Sequence, residues 1–430
     1  MSASPSPPQS LGWWRRGLAG AGALDRMVMP FVAVLLLVRV LTDNLSAPGS
    51  RQSGSVNLSG VIAVLFVLAA AVLLLRNRRA VLLSLLAGLW ICIWTAIAVG
   101  TKGASSETVR EGVRELSVIA LAVIVCNLRG SLSAPAAARL IQGVGLVPAV
   151  VALYQLPSRT GMEVAGHLRS NGTFAHPNSA VMFFAIALAA SLWRYLGHGR
   201  SRADLALAAV FAAAIITTFS IDGLLTAFVM MAAAGALQPG SWRVKAVPWA
   251  VGLVIVAVFF ATPLGAARVA RESNTNLAAE QGESDTSLEW RLKKWKALLP
   301  EWEKSPVVGR GLGITTTTQG TPANPFGGFP PHNEYVRYLV ETGVLGCLIL
   351  LSALWLLVRA LIRRRTDIAA SGSAFNASTL AIVVLIGCLV NSLADNTLLN
   401  TPTAYAAALI LASVLALPRS ERAAPTARVA

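Results

Sequence analysis

PHNEYVRYLVETGVLGCLILLSALWLLVRALIRRR, residues 331–365, runs from a polar head through a long apolar stretch to three consecutive arginines. An apolar run of about 17–25 residues is what an α-helix needs to cross a bilayer. Arginines at its far end mark the cytoplasmic side by the positive-inside rule. The polar head then sits at the outer mouth of the span. It carries His332, one of only four histidines in 430 residues.

Similar apolar runs recur along the chain. The composition is 55% hydrophobic and 13% charged, with a mean hydropathy of +0.63; a soluble chain carries roughly a quarter charged residues. This excludes a soluble globular domain. The formal net charge of +16 follows from positive-inside asymmetry, so no nucleic-acid partner is expected. Cys92, Cys126, Cys347 and Cys388 all lie inside apolar runs without metal-ligand spacing, and read as small packing residues.

The spacing predicts an all-α polytopic membrane protein with about twelve transmembrane helices. The spans fall near 28–41, 56–75, 80–100, 113–128, 137–156, 178–197, 203–219, 221–237, 244–262, 333–361, 377–393 and 402–417. With a cytoplasmic N-terminus, the inner segments collect Arg76, Arg78, Arg79, Arg194, Arg200, Arg202, Arg363, Arg364 and Arg365. The short outer loops hold Arg51, Lys102, Arg110, Arg114, Arg159 and Arg169. This places both termini inside. One transmembrane domain, 26–418, is expected between cytoplasmic tails at 1–25 and 419–430. The Pro/Ser-rich start, MSASPSPPQS, is not expected to form a signal peptide: the first apolar run begins near Val28 and no small-residue cleavage site follows.

Two outer segments exceed simple connectors, 157–178 and 262–332; long loops of this kind are commonly functional. Within the second, SLEWRLKKWKALLPEWEKS (287–305) predicts an amphipathic helix at the interface, with Trp290, Leu292, Trp295, Leu298, Leu299 and Trp302 among basic residues. After His332, residues Glu334, Arg337 and Glu341 share one helical face and read as a mutually neutralising charge ladder. Gly343 and Gly346 read as positions of close helix contact. Arg39 reads as a snorkelling arginine near the outer end of the first span. His167 and His176 read as structural.

The polar residues of the outer face make a plausible anion site. Arg169 and Asn178 lie in GHLRSNGTFAHPNSA (166–180), and Arg291 precedes the glycine-rich VVGRGLGI (307–314). Guanidinium forks bind phosphate oxygens in bidentate fashion, and imidazole titrates near neutrality. Asp395, in NSLADNTLLNTP, is a further outer-side candidate, for supporting an arginine, binding an acceptor sugar, or simply capping a turn.

These residues resemble a known family. His332-Asn333, nine intervening residues, then Gly343 and Gly346 matches the H-[N/S/Q]-x9-G-x-x-G signature of bacterial O-antigen ligases. RSNGTFAHPN (169–178) resembles the R-x-x-G-x-x-x-x-P-N block of the wider O-antigen ligase and polymerase superfamily, and WRLKKW leading into SPVVGRGLG is similar to its later loop. One corner departs. Where the family often has Ser-Arg, this chain reads Phe219-Ser220-Ile221-Asp222-Gly223, and Asp222 is expected to orient a loop arginine instead.

The resemblance implies a class C type membrane glycosyltransferase in the bacterial plasma membrane. It implies transfer of a glycan from an undecaprenyl-pyrophosphate carrier to an acceptor hydroxyl at the outer face, with inversion and without metal or other cofactor. By carry-over, His332 is the general base, with Arg169 and Arg291 on the pyrophosphate and Asn333, Asn178, Asp222 and Asp395 completing the substrate site. The acceptor stays open among a lipid core, a growing polysaccharide and a protein hydroxyl. A multi-span transporter is the alternative from another class. It fits less well, because a transporter places its polar site near the bilayer midplane.

Overall fold

A computed structural model describes residues 23–46, 58–74, 78–102, 106–128, 132–164, 167–197, 200–273, 287–317, 330–370 and 376–416. The expected tails therefore lie almost wholly outside the described residues. The helices are α1 (Ala23–Leu41), α2 (Leu58–Leu74), α3 (Arg78–Lys102), α4 (Ser106–Asn127), α5 (Ala134–Ser158), α6 (Pro177–Gly197), α7 (Arg202–Thr217), α8 (Ile221–Leu237) and α9 (Trp242–Ala261). They continue as α10 (Pro263–Ser273), α11 (Ser287–Glu303), α12 (Ile314–Thr317), α13 (Glu334–Ala370), α14 (Ala377–Asn391) and α15 (Thr401–Leu415).

Each expected apolar run falls on one of these helices. Four of them (α5, α6, α9 and residues 334–366 of α13) are long and apolar enough to cross a bilayer, and α1, α2, α3, α8, α14 and α15 carry shorter apolar stretches. The protein is thus a nearly all-helical, polytopic membrane protein. One small departure is a hairpin between α5 and α6, β1 (Met162–Val164) against β2 (His167–Arg169), with Met162 opposite Arg169. Three-residue strands are too short to leave a period-2 pattern in sequence.

Helix α6 forms the centre of the bundle and is buried from Pro177 to Arg194. Its alanines, among them Ala180, Ala185, Ala187 and Ala190, are fully covered, which brings neighbouring backbones close without a large desolvated side chain. Helix α13 is the opposite case. Only 11% of its apolar window is buried, so Leu348, Leu351, Trp355 and Leu356 face outward, as lipid-contacting residues do.

Gly343 breaks α13, with φ 65° and ψ −172°. A continuous helix would bond Val344 N–H to the Val340 carbonyl and Leu345 N–H to that of Glu341. Here Val344 and Leu345 donate instead to Pro306 and Val307, at 2.9 and 3.0 Å. The freed carbonyls of Val340 and Glu341 accept from Arg310 and Gly311, at 3.0 and 2.8 Å. The glycine-rich loop therefore replaces both lost helix bonds, leaving none of the four groups unsatisfied. A Cβ on Gly309 would meet the Glu341 carbonyl, and one on Gly343 would meet that of Val307. Gly343 is thus a helix break that seats a loop, which corrects its reading as a helix-contact residue. Gly346 does face a neighbour, Trp90 of α3.

The first turns of α13 are held by charge. Arg337 is fully buried and pairs with Glu334 and, at 3.2 Å, with Glu341. A fourth member is contributed by α4: Glu115 lies 3.0 Å from Arg337 and accepts from Tyr338 at 3.1 Å. The ladder on one helix face is therefore the near half of an interhelical cluster.

Candidate active site

The His332 segment is strapped to the end of α14. Asn333 caps α13, its Oδ1 accepting from Val336 N–H at 3.0 Å while its Nδ2 donates to the Leu393 carbonyl at 3.0 Å. Glu334 N–H donates to the Ser392 carbonyl at 2.9 Å. His332 itself adopts φ 50°, a left-handed conformation that costs a non-glycine residue on the order of 1 kcal/mol and persists where its surroundings impose it.

His332 Nδ1 lies 2.9 Å from Asp395 Oδ1, and the imidazole remains 25% exposed while Asp395 is buried. Burial alone raises the Asp395 pKa. The hydrogen bond to His332 and the nearby His332 and His176 outweigh it, holding the carboxyl down at about 2. Asn400 donates to the other oxygen, Oδ2, at 3.1 Å. A carboxylate on Nδ1 fixes the neutral tautomer with the proton on Nδ1, so Nε2 keeps its lone pair. Trp290 packs edge-on to the imidazole with ring centres 5.7 Å apart.

Around Asp222 a second cluster gathers. Arg169 is buried; its Nε donates to the Thr218 carbonyl at 2.8 Å and its Nη2 to Asn178 Oδ1 at 2.9 Å. Asn178 Nδ2 donates to Asp222 Oδ2 at 3.3 Å, and Arg291 Nη2 reaches the same oxygen at 3.2 Å. The Ser220 hydroxyl lies 2.5 Å from Asp222 Oδ1 and 2.9 Å from Asn178 Oδ1. Its single proton serves the carboxylate, the stronger acceptor. Burial draws the Arg169 pKa down to about 10, with Asp222 opposing and Arg268 and Arg291 adding to the shift. Arg169 therefore stays cationic at neutral pH, in a neighbourhood where guanidinium groups outnumber carboxylates.

Helix α11 links the two clusters. It carries Trp290 to His332 and Arg291 to Asp222, and Trp295 Nε1 donates to the Pro331 carbonyl at 2.8 Å. The stretch read as a surface anchor is therefore also part of the site. Its outward face keeps Leu288, Leu292 and Leu299 exposed, an interfacial stripe at helical spacing.

The structure brings His332, Asn333 and Asp395 into one group and Arg169, Asn178, Asp222 and Arg291 into another. His176 lies between them, 6.4 Å from His332 between ring centres. Sequence reasoning passed over Ser220 and Arg268. Arg268 pairs with Glu272 at 3.2 Å and donates to Ser287 at 2.8 Å, and its buried Nε has no partner among the described residues. The available signal was the Arg268–Arg271 spacing just beyond the ninth apolar run. Arg39 is buried against Asp43 at 2.6 Å, and Asp43 accepts from Ala175 N–H at 2.9 Å. It braces the segment before α6 rather than snorkelling. Among the described residues, no three His, Cys, Asp or Glu side chains gather as a metal site.

Comparison with known proteins gives one family. Residues 173–351 match the family model described as O-antigen ligase, supporting the wider superfamily of O-antigen ligases and polymerases. The matched span includes Asn178, Asp222, Arg291, His332 and Asn333, and leaves Arg169 and Asp395 outside. No curated protein matches the chain.

Proposed function

Proceeding from an O-antigen ligase domain over residues 173–351, we propose that this protein transfers a glycan from a polyprenyl-pyrophosphate carrier to an acceptor hydroxyl at the outer face of the plasma membrane. Both termini lie in the cytoplasm in this reading, and twelve helices cross the bilayer. The observation that carries it is an oriented imidazole, His332 on Asp395, joined to the Arg169–Asp222–Arg291 cluster through helix α11 and His176.

The chemistry follows from the two clusters. His332 Nε2 takes the proton as the acceptor oxygen attacks the anomeric carbon. The new carbon–oxygen bond forms as the bond to pyrophosphate breaks, and the electron pair leaves with the pyrophosphate. Arg169 and Arg291, preorganised by Asn178 and Asp222, stabilise the developing charge. Attack opposite the leaving group inverts the anomeric centre. Ligation to a lipid core, polymerisation and transfer to a protein hydroxyl share this donor chemistry.

The test uses full-length protein in detergent or proteoliposomes with undecaprenyl-pyrophosphate-linked glycan and an envelope acceptor fraction. His332→Ala abolishes transfer while donor still binds, and Arg169→Ala and Arg291→Ala weaken donor binding. Full transfer by His332→Ala removes the base assignment. In a deletion strain, a lost or shortened surface glycan with accumulated lipid-linked precursor identifies the acceptor class.

A further inference from the structure

We infer that His176 is a second functional imidazole, a fixed neutral hydrogen-bond donor that holds the acceptor hydroxyl oxygen while His332 removes its proton. This rests on the transfer reading above and adds a residue that reading does not use.

His176 is the residue before Pro177, at the start of α6, and its carbonyl accepts from Ala180 N–H at 3.2 Å. Asn178 N–H donates to His176 Nδ1 at 3.2 Å. An imidazole nitrogen that accepts a hydrogen bond carries no proton, so the neutral ring holds its proton on Nε2. Among the described residues, Nε2 has no hydrogen-bond partner, and the ring is half-buried rather than sealed.

The surroundings keep the ring neutral. Burial is the main cause drawing its pKa down to about 4, joined by the charges of Arg169 and His332, while Asp395 and Asp222 oppose them. The positive end of the α6 dipole acts in the same direction.

The two histidines are thus set as opposites. His332 donates a hydrogen bond from Nδ1–H to Asp395 and leaves Nε2 basic. His176 accepts a hydrogen bond on Nδ1 and leaves Nε2–H as a donor. Their ring centres are 6.4 Å apart. That separation leaves room for one oxygen held by two hydrogen bonds of about 2.8 Å each between ring nitrogens turned toward each other. A hydroxyl between them is both acceptor of one hydrogen bond and donor of the other, which aims its remaining lone pair at an electrophile.

Paired variants separate this role from capping. His176→Asn places a side-chain oxygen where Nδ1 caps the helix, and removes the donor at the Nε2 position. His176→Gln places an amide nitrogen near the Nε2 position and loses the cap. The expected result is a 10- to 100-fold fall in kcat/KM for the acceptor in His176→Asn, with donor binding and melting temperature near wild type. His176→Gln recovers most of that activity with a lower melting temperature. Equal activity in His176→Asn and wild type overturns the inference, as does a loss in both variants that tracks melting temperature alone. Transfer by His332→Ala in the same assay instead removes the base assignment on which the inference rests, and absence of transfer by the wild-type protein removes the transfer reading itself, so the failures are distinct.

Discussion

His332 and Asp395 meet at 2.9 Å across 63 residues of chain, one at the head of α13 and the other in the turn that follows α14. The pair gives the histidine its tautomer. Asp395→Asn keeps a polar group of the same size but cannot enforce Nδ1–H, since an amide also donates. The expected outcome is a fall in kcat of about 10²–10⁴, the range seen when a buried orienting carboxylate is neutralised, with donor KM little changed. Steady-state transfer kinetics check it.

His176 and Asp395 each contribute to the pH dependence of stability. The His176 pKa is lowered from 6.5 to about 4 in the folded chain. Between those values the unfolded state binds a proton that the folded state refuses, so stability falls as pH drops. The interval corresponds to at most about 3 kcal/mol. The Asp395 contribution, from a pKa lowered to about 2, is present above about 4 and is lost only as pH falls through about 2. Thermal melts from pH 7 to 4 therefore show a slope that His176→Asn reduces and Asp395→Asn leaves in place.

Asp222 holds Asn178, Ser220 and Arg291 together. Asp222→Ala leaves these groups without their common acceptor, costing about 1–3 kcal/mol and loosening both arginine forks. Donor KM rises about tenfold while the His332-dependent step is less affected. Binding of a non-transferable polyprenyl-pyrophosphate analogue, together with melting temperature, measures both effects.

Gly343→Ala puts a Cβ into the Val307 carbonyl at a positive φ. A loss of about 2 kcal/mol or more is expected. Gly309→Ala strikes the other side of the same contact, so the double variant is less destabilised than the two single losses combined.

Removing Arg337 leaves Glu115, Glu334 and Glu341 without their common cation. Arg337→Leu costs about 3–5 kcal/mol, and simultaneous Glu115→Gln returns part of it. Melting curves in detergent decide the matter.

Much of the bundle was legible because apolar length and flanking arginines report the bilayer directly. His332–Asn333 was legible through its spacing to a glycine pair, and Asp395 as a carboxylate in the polar break between two apolar runs. What stayed hidden depends on pairing across the chain. Nothing near Glu115 in sequence shows that it meets Arg337, 222 residues away. Gly343 looked like a helix-packing residue, since a small residue in an apolar run has the same pattern whether it meets a helix or breaks one. His176 looked structural, and it does cap a helix. The sequence did not reveal that its second nitrogen was left over.

The break at Gly343 also gives a meaning to the nine residues that separate it from Asn333. They form a rod of about 14 Å, capped at one end and clasped by the 306–311 loop at the other. Adding or deleting one residue would turn the far end by about 100°. That rotation would withdraw Gly343 from its clasp and swing Arg337 away from Glu115 together. The segment is therefore a gauge block: its length is fixed as firmly as its buried charges.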